Sequence, residues 1–421
     1  MILILADDMG YGDLEIFNGG RSRTPNLDKL VEESVYFERA YSGSAVCTPA
    51  RAALLTGRYP HRTGAITLNM ERYPELTRLK LDEITVADLF RKRGYRTGLI
   101  GKWHLGDGAA FHPMQRGFDE FQGFKGFDIG PDYFHYQLDI NGDYQEFSGE
   151  YLTDNLTGRA IDFVTRHQSE PFFLHLAHYA PHRPLSAPPE LVDRYLAEGF
   201  DTNTATVYAM IEVMDRGIGK LLAALDNLQI RNNTLVIFAS DNGPDPVVGE
   251  RFNHDLRGTK YTVYEGGIRV PLLFNQPGKY VAKTSELLIH FTDILPTLAE
   301  ICALDIADPE LLDGGSFVAG LGEQDSVTFL PAYRFWQWNR GVPYYSHNAA
   351  MREGKWKLVR PPVTTQLVFA DTATKPRLFD TDADPGETVD LSEQESLRYN
   401  IMRVKLEQWS REVEASRLRG E

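Results

Sequence analysis

The chain of 421 residues is predicted to have an α/β fold. We expect a large, mostly parallel sheet sandwiched by helices, plus a small C-terminal antiparallel sheet with a terminal helix. Over roughly the first 300 residues, strand-like and helix-like segments alternate, which favours a parallel sheet covered by helices. After about residue 320, short strand-like segments follow one another between turns. The chain is too long for one ordinary core, so we predict a catalytic domain, residues 1–322, and a C-terminal subdomain, residues 323–421.

The first part of the chain contains several short apolar runs that are typical of buried strands. Residues 2–6, with the sequence ILILA, are the clearest of these runs, and two acidic residues follow them directly. Helical segments are recognised by apolar residues at helical spacing and by Pro near their start or Gly at their end. The predicted strands are 2–6, 97–100, 172–177 and 235–239, and the predicted helices are 24–33, 84–93, 151–167 and 204–228.

The last hundred residues predict a different architecture. Residues 329–338, 350–359 and 377–380 have the pattern of strands, and Asp384-Pro385-Gly386 is a strong turn signal. Ser392 is a suitable N-cap for an amphipathic helix that continues to about residue 417. These features predict the small antiparallel sheet and its terminal helix.

Charge and composition exclude several classes of protein. The net charge of −15 argues against general nucleic-acid binding, which needs a basic surface. No run of about 18 apolar residues is present, so no membrane span is expected. The apolar N-terminus is too short for a signal peptide. A periplasmic or secreted protein whose leader is absent from this sequence fits these features, and a cytoplasmic location also stays open.

The sequence contains two cysteines, Cys47 and Cys302, which could form at most one disulfide. Cys302 continues an apolar helical pattern, which favours a small buried side chain. Cys47 lies after small residues at the expected entrance of a helix, where backbone N–H groups stabilise an anion. A lone cysteine is more often a buried spacer, so the local sequence leaves both interpretations open.

Polar residues follow two of the predicted buried strands. Asp7 and Asp8 come directly after the first strand, and Asp241 and Asn242 follow the strand at residues 235–239. An isolated acidic pair is usually a helix cap or a turn. However, ligand sites in such sheets lie beyond the carboxyl ends of the strands, where the two pairs could converge. A set of oxygen ligands suits Ca²⁺ or Mg²⁺ better than Zn²⁺.

Several ordered motifs resemble those of the type I, formylglycine-dependent sulfatases of the alkaline phosphatase-like superfamily. Residues 47–57, CTPARAALLTG, are similar to the first sulfatase motif, and residues 94–104, GYRTGLIGKWH, resemble the second. The resemblance extends over nearly the whole chain. Further similar segments are ADD at 6–8, APH at 180–182, SDNG at 240–243, RGTK at 257–260, EGGIRVP at 265–271, MREGKWKL at 351–358, LFD at 378–380 and DPGE at 384–387.

The resemblance implies a sulfuric ester hydrolase with a formylglycine nucleophile made from Cys47 by a separate formylglycine-generating enzyme. The hydrate of formylglycine carries two hydroxyls on one carbon, one to attack sulfur and one through which sulfate is released. The resemblance also implies that Arg51 holds the hydrate and that Lys102 and Lys260 neutralise sulfate oxygens. His182 would protonate the leaving alcohol, and His104 would assist release of sulfate.

The same resemblance implies one Ca²⁺ per chain, or Mg²⁺ in its place. The implied ligands are Asp7, Asp8, the modified Cys47, Asp241 and Asn242. The cation would polarise the sulfate group and the nucleophile as a Lewis acid.

Other aromatic and histidine residues have weaker assignments. A structural role is favoured for His175 and His178, and His61 is expected to pack near the modified residue. Trp336 and Trp338 could form a sugar platform, or they could pack the small sheet on the large one. A further polar residue that contacts sulfate is expected within residues 123–136.

The predicted function is hydrolysis of organic sulfate esters, with a sulfated oligosaccharide or small molecule as substrate. A phosphonate or phosphate ester hydrolase of the same superfamily is one alternative. A non-catalytic binder of sulfated glycans, with Cys47 unmodified, is another. The sequence leaves the oligomeric state open.

Overall fold

The computed structural model describes residues 1–68, 73–126, 128–249, 251–322, 330–363 and 373–419. Within these residues, ten strands form one large sheet in the order β10-β2-β9-β8-β1-β7-β3-β4-β5-β6. Their bounds are β1 (Ile2–Ala6), β2 (Val35–Tyr41), β3 (Arg96–Lys102), β4 (Glu120–Phe124), β5 (His135–Ile140), β6 (Asp143–Ser148), β7 (Phe172–Ala177), β8 (Val236–Ser240), β9 (Leu272–Asn275) and β10 (Lys283–His290).

The centre of this sheet is parallel, as the sequence predicts. Strand β1 lies between β7 and β8 and runs parallel to both, and β3 runs parallel to β7 and β4. The antiparallel pairs are those of β9 with its neighbours β2 and β8, and those of β5 with β4 and with β6 at one edge. The carboxyl ends of β1, β3, β7 and β8 therefore meet at one edge of the sheet.

Helices cover both faces of the large sheet. Alternate residues of β1 point to opposite faces: Ile2 and Ile4 pack in one apolar core, and Leu3 and Leu5 in the other. The helices in chain order are α1 (Glu15–Asn18), α2 (Pro25–Glu32), α3 (Cys47–Thr56), α4 (Pro60–Thr63), α5 (Val86–Lys92), α6 (Leu152–Arg166), α7 (Pro189–Ala197), α8 (Thr202–Asn227), α9 (Glu265–Ile268), α10 (Ile294–Cys302) and α11 (Ser396–Leu418). Helices α2, α6 and α8 contribute to the first core, and α3, α5 and α10 to the second.

The small sheet has four antiparallel strands in the order β11-β12-β13-β14. Their bounds are β11 (Arg334–Gln337), β12 (Ala349–Glu353), β13 (Trp356–Arg360) and β14 (Arg377–Asp380). The predicted single strand at 350–359 is wrong: it is a hairpin, because Gly354 has a φ of +55° and turns the chain. Helix α11 begins at Ser396 rather than after Ser392, since residues 392–395 form a turn. The predicted strand at 329–338 begins at Arg334, and Phe329 lies outside the described residues.

A buried ionic network joins the small sheet to the large one. Glu265, at the start of α9, accepts a hydrogen bond from the hydroxyl of Tyr41 in β2 at 2.7 Å. The Lys357 Nζ of β13 lies 2.9 Å from Glu265 Oε1 and 3.0 Å from Glu387 Oε1. Arg352 of β12 also contacts Glu265, at 3.2 Å. Because all of these groups are buried, each charge depends on its partners.

Replacing Lys357 by methionine should lower the free energy of unfolding by about 3–5 kcal/mol, because Glu265 and Glu387 would lose a buried counter-charge. Lys355→Met is the matched control, since Lys355 is 48% exposed and its ion pair with Asp380 should contribute less than about 1 kcal/mol. Urea denaturation of the two variants measures both effects. Equal losses in the two variants would contradict a structural role for the network.

Candidate active site

The site lies where the central strands of the large sheet end. Asp7 and Asp8 follow β1, Asp241 and Asn242 follow β8, and Lys102 is the last residue of β3. These side chains are buried. Asp8 adopts a left-handed backbone conformation with a φ of +65°, which is costly for a residue other than glycine. The two pairs of oxygen-bearing residues that the sequence places after separate strands do converge.

Cys47 is the first residue of α3, as the sequence suggests. Its Sγ lies 3.3 Å from Asp7 Oδ1 and 3.9 Å from Asp8 Oδ1. Burial and the Asp241 and Asp7 carboxylates raise the pKa of the Cys47 thiol well above its usual range. In the protein chain alone, the unmodified side chain is therefore a neutral thiol and a weak nucleophile. Cys302 and Cys47 are both free, so the disulfide that two cysteines allow is absent.

Arg51 lies one helical turn after Cys47 and connects the acidic groups to one another. Its guanidinium donates to Asp241 Oδ2 at 2.8 Å and 3.1 Å and lies 3.3 Å from Asp7 Oδ2. It also donates to the carbonyl of Lys102 at 3.0 Å. Arg51 therefore fixes the end of β3 and the strand ends of β1 and β8 relative to α3.

Two lysines balance the remaining carboxylates. Lys102 Nζ lies 2.6 Å from Asp7 Oδ2, and Lys260 Nζ lies 2.7 Å from Asp8 Oδ2. Burial alone would raise the pKa of Asp7, but the charges of Lys102, His182 and Arg51 hold it well below its ordinary value. Arg51, Lys102 and Lys260 thus match the three carboxylates of Asp7, Asp8 and Asp241 in charge.

The position of Lys102 depends on a close approach of three strands. Gly101 has a φ of +104°, and a Cβ there would lie 1.9 Å from the carbonyl oxygen of Ala177 in β7. A Cβ on Gly123 of β4 would lie 1.9 Å from the carbonyl oxygen of Gly101. Glycine at both positions allows the end of β3 to lie tightly between its neighbours, which fixes Lys102 next to Asp7.

Substituting Gly101 by alanine should therefore reduce activity by at least about 100-fold, as expected when a reacting group is displaced by about 1 Å. Gly94→Ala is the control, because a Cβ at Gly94 meets nothing within 4 Å although its φ is also positive, at +90°. Steady-state kinetics with an aryl sulfate compare the two variants. Similar rates for both would show that the close approach does not position the site.

Two histidines complete the site, and both are buried. His182 Nε2 lies 3.6 Å from Asp8 Oδ2, and its Nδ1 bonds to the carbonyl of Arg183 at 2.6 Å. Burial and the charge of Lys102 lower the pKa of His182 to about 3, and burial lowers that of His104 well below its usual range. Both imidazoles are therefore neutral in the chain without substrate or metal.

A cavity of about 590 Å³ opens onto this cluster. The predicted residues Cys47, His104, His182 and Lys260 contribute to its wall. The other lining residues are Leu68, Asp128, Ile129, Gly130, Pro131, Tyr179, Arg183, Pro184, Tyr261 and Arg340. Residues 128–131 belong to the stretch in which a further contact residue is expected. Arg183 and Tyr261 were not predicted, although each directly follows a predicted site residue in the sequence.

The remaining predictions concern side chains outside this cavity. His175 and His178 are buried and do not line it, in agreement with structural roles, and His61 bonds to Gln337. The sugar platform is wrong: Trp336 is 1% exposed and Trp338 is 4% exposed. Trp336 packs between the two sheets, against Tyr41 of β2, and Trp338 packs against Tyr261 in the loop before α9.

The residues present fit a metal ion. Asp7, Asp8, Cys47 and His182 each offer a ligand atom, and these atoms all lie within 4.8 Å of one another. Within the described residues, the buried Oδ1 of Asn242 has no hydrogen-bond partner, while its Nδ2 donates to Asp8 Oδ1 at 2.7 Å. Amide oxygen and nitrogen are interchangeable by a flip, which would turn an oxygen ligand toward the carboxylates. Burial and the nearby Asp7 raise the pKa of Asp241 to about 6, as expected for crowded carboxylates.

Comparisons with known proteins agree with this fold. The sulfatase family model matches residues 1–303, and a model described as N-sulphoglucosamine sulphohydrolase, C-terminal, matches residues 253–414. The chain therefore belongs to the sulfatase family, in the alkaline phosphatase-like superfamily, and it is a sulfuric ester hydrolase.

Individual relatives cover nearly the whole chain. Arylsulfatase J of Mus musculus is 32% identical over 93% of this chain and 72% of its own length. N-acetylgalactosamine-6-sulfatase of Homo sapiens is 31% identical over 93% of this chain and 81% of its own length. The crystal structure of Ps i-CgsB in complex with k-i-k-neocarrahexaose has a TM-score of 0.83 at 31% identity and covers 97% of this chain and 92% of its own.

Among the described residues, no helix combines the length and apolar character needed to cross a membrane. The predicted boundary at 322/323 stays a prediction. The second family model begins at residue 253, inside the predicted catalytic domain.

Proposed function

We propose that this protein hydrolyses sulfate esters of a carbohydrate, with a formylglycine made from Cys47 and one bound Ca²⁺. One observation carries the proposal: Cys47 lies among Asp7, Asp8 and two lysines at the bottom of a cavity large enough for a sugar. Formylglycine supplies, as its hydrate, a hydroxyl nucleophile and a second hydroxyl through which sulfate is released. A separate formylglycine-generating enzyme is the proposed partner for this maturation.

Asp7, Asp8, Asp241, Asn242 and the modified Cys47 are the proposed ligands of the cation. Bound Ca²⁺ supplies Lewis-acid polarisation of the sulfate group. The three carboxylates and the three basic side chains around them cancel in charge, so a divalent cation would make the site positive. A positive, buried site suits an anionic sulfate ester better than a neutral ligand.

Lys102 and Lys260 bind the oxygens of the sulfate group. Each lies within 3 Å of a carboxylate beside Cys47; Lys260 lines the cavity, and Lys102 lies behind its wall next to Asp7. The contacts of Arg51 with Asp241 and with the Lys102 carbonyl favour a role in holding the nucleophile and β3 in place.

His182 is the proposed acid for the leaving alcohol, and His104 assists release of sulfate. Both line the cavity next to Cys47. His182 is neutral in the chain alone, but the negative charge of a bound sulfate ester favours its protonated form. The Nδ1–H of His182 donates to the Arg183 carbonyl, so the second ring nitrogen, Nε2, is the one that can carry the catalytic proton. In the protonated form, Nε2 can donate this proton to the oxygen of the leaving alcohol.

A substrate screen tests this function directly. Matured protein is incubated with sulfated oligosaccharides, an aryl sulfate, and the matching phosphate and phosphonate esters, and the released anion is measured. We expect sulfate release from a sulfated sugar. Faster release from phosphate or phosphonate esters would favour the other hydrolases of the superfamily, and binding without release would favour a non-catalytic glycan binder.

Replacing Asp8 by asparagine should remove the bound metal and the activity together, because its carboxylate lies 3.9 Å from Cys47 Sγ and accepts hydrogen bonds from Lys260 and Asn242. Wild-type protein should contain about one Ca²⁺ per chain by elemental analysis, and a chelator should lower its melting temperature by mass action. Asp139→Asn, a buried carboxylate of β5 outside the site, is the control. Active protein with stoichiometric Zn²⁺ and neither Ca²⁺ nor Mg²⁺ would overturn the assignment.

Export to the periplasm or the medium is the proposed localisation. Cell fractionation of the native organism, with activity measured in each fraction, tests it.

A further inference from the structure

The wall of the cavity carries two arginines that the proposed reaction does not use. Arg183 and Arg340 both line the cavity that contains Cys47 and His182. Arg183 directly follows His182 in the chain, whereas Arg340 comes from the C-terminal part, just after β11. Tyr261, next to Lys260 in the chain, lies beside them, since its hydroxyl accepts a hydrogen bond from Arg183 at 3.1 Å.

Arg183 has one protein counter-charge. Its Nη2 lies 3.1 Å from Asp245 Oδ2, and its side chain remains 47% exposed toward the cavity and solvent. This pair positions the guanidinium beside Tyr261. An exposed guanidinium with one carboxylate partner retains donors for a second anion, since arginine has five N–H groups.

Arg340 has no such counter-charge. Among the residues that the structure describes, no carboxylate oxygen lies within 4 Å of its guanidinium. Its Nε is buried and lacks a hydrogen-bond partner within the same residues. Burial lowers the pKa of Arg340, Tyr261 acts in the opposite direction, and the charge of Arg183 in the same cavity wall lowers it. A half-buried, unpaired guanidinium beside another cation is costly unless a ligand supplies the anion.

We propose that Arg340 and Arg183 form a second anion subsite in the substrate cavity. This subsite binds a sulfate or carboxylate group of the same glycan, next to the sulfate ester that is hydrolysed. The inference rests on the proposed function, because the scissile ester occupies the Cys47 end of the cavity. A planar guanidinium recognises either anion through two parallel hydrogen bonds. The preferred substrate is therefore a glycan with at least two anionic groups.

Among the described residues that line the cavity, one side chain is acidic. Asp128 also lines it, but the side chain is exposed to water and its Oδ1 accepts the backbone N–H of Gly130 at 2.9 Å. Water screens this charge more than it screens that of the half-buried Arg340. The cavity wall that carries Arg340 and Arg183 thus remains the cationic one.

Three matched disaccharides test the subsite: one with the scissile sulfate alone, one with an added sulfate, and one with an added carboxylate. With matured wild-type enzyme, kcat/KM should rise roughly 10- to 100-fold when the second anion is present, as expected for hydrogen bonds to a charged group. The sulfate and carboxylate arms show which anion is preferred. The ratio of kcat/KM for each doubly charged substrate to that for the singly charged one is the readout.

Arg340→Gln should lower that ratio by about 10-fold. Arg340→Lys should retain part of the preference for the second anion, because lysine keeps the positive charge but cannot donate two parallel hydrogen bonds. Arg93→Gln, which removes an exposed arginine at the end of α5, is the control with the same change in net charge. An unchanged ratio in Arg340→Gln, or no preference for either second anion in wild type, would overturn the subsite.

Calorimetric binding of the same disaccharides to Cys47→Ala separates the subsite from the proposed reaction. A second anion should tighten binding to this variant, and adding Arg340→Gln should remove the gain. If wild type releases no sulfate but this pattern holds, the proposed function fails and the subsite stands. If sulfate is released but the second anion does not tighten binding, the subsite fails alone.

Discussion

Replacing Cys47 by alanine should reduce hydrolysis of every sulfate ester by roughly 10⁴- to 10⁶-fold, the range for loss of an essential part of a nucleophilic site. Alanine cannot be converted to formylglycine, so the carbon next to Asp7 and Asp8 would carry no nucleophile. Mass spectrometry of the tryptic peptide should show conversion of the thiol to an aldehyde in active wild-type protein and not in the variant. Rates are compared at equal concentrations of folded protein.

Cys302→Ala is the matched control for this substitution. Cys302 is half-buried at the end of α10 and lies outside the cavity that contains Cys47. It should leave the rate within about twofold of wild type, as is usual for a surface change away from the site. Full activity of the Cys47 variant would refute the proposed nucleophile.

Replacing His182 by alanine should slow hydrolysis of sugar sulfates by roughly 10²- to 10⁴-fold, the usual contribution of a general acid. The effect on an aryl sulfate should be much smaller, because a phenolate, whose conjugate acid has a pKa of about 10, leaves with little protonation. His104→Ala should slow both substrates similarly, since release of sulfate follows departure of the alcohol. Parallel measurement of kcat/KM for a sugar sulfate and an aryl sulfate distinguishes the two roles.

His178→Gln controls for loss of an imidazole near β7, because His178 is buried and does not line the cavity. The pH dependence is a second readout. A general acid acts through its protonated form, and the protonated fraction of His182 decreases as the pH rises, so kcat for sugar sulfates should fall toward high pH. This decrease of kcat at high pH should be absent in the His182 variant. Equal losses on sugar and aryl sulfates in His182→Ala would reverse or remove the assignment.

The parts of the fold that the sequence predicts are those with continuous apolar runs. Strands β1, β7 and β8 are buried on both faces, and nearly every residue in them is apolar. Strand β2 was missed because Glu38 and Arg39 interrupt its apolar pattern, and β6 because it is largely exposed. The predicted strand at 350–359 failed because Gly354 and Lys355 form a tight turn between two short strands of mixed polar and apolar residues.

The sequence predicted those residues of the site that lie within short sequence motifs. The residues at the strand ends, the start of α3 and the end of β3 come together as the motifs imply. Arg340 could not be assigned in this way, because more than 150 residues separate it from Arg183 and only the packing of the small sheet brings the two together. The mistaken sugar platform has the same cause: burial of Trp336 and Trp338 depends on contacts with Tyr41 and Tyr261, which are distant in the sequence.

The buried network of Glu265, Lys357, Glu387 and Arg352 limits how this enzyme can be recombined with its relatives. A chimera that exchanges only the segment after residue 322 must bring its own lysine and arginine to meet Glu265, or the exchange leaves an uncompensated carboxylate. The same exchange replaces Arg340 and with it one wall of the cavity. In libraries of sulfatase chimeras, stability and substrate preference should therefore change together. Chimeras in which residues 265–387 all come from one parent should fold most often.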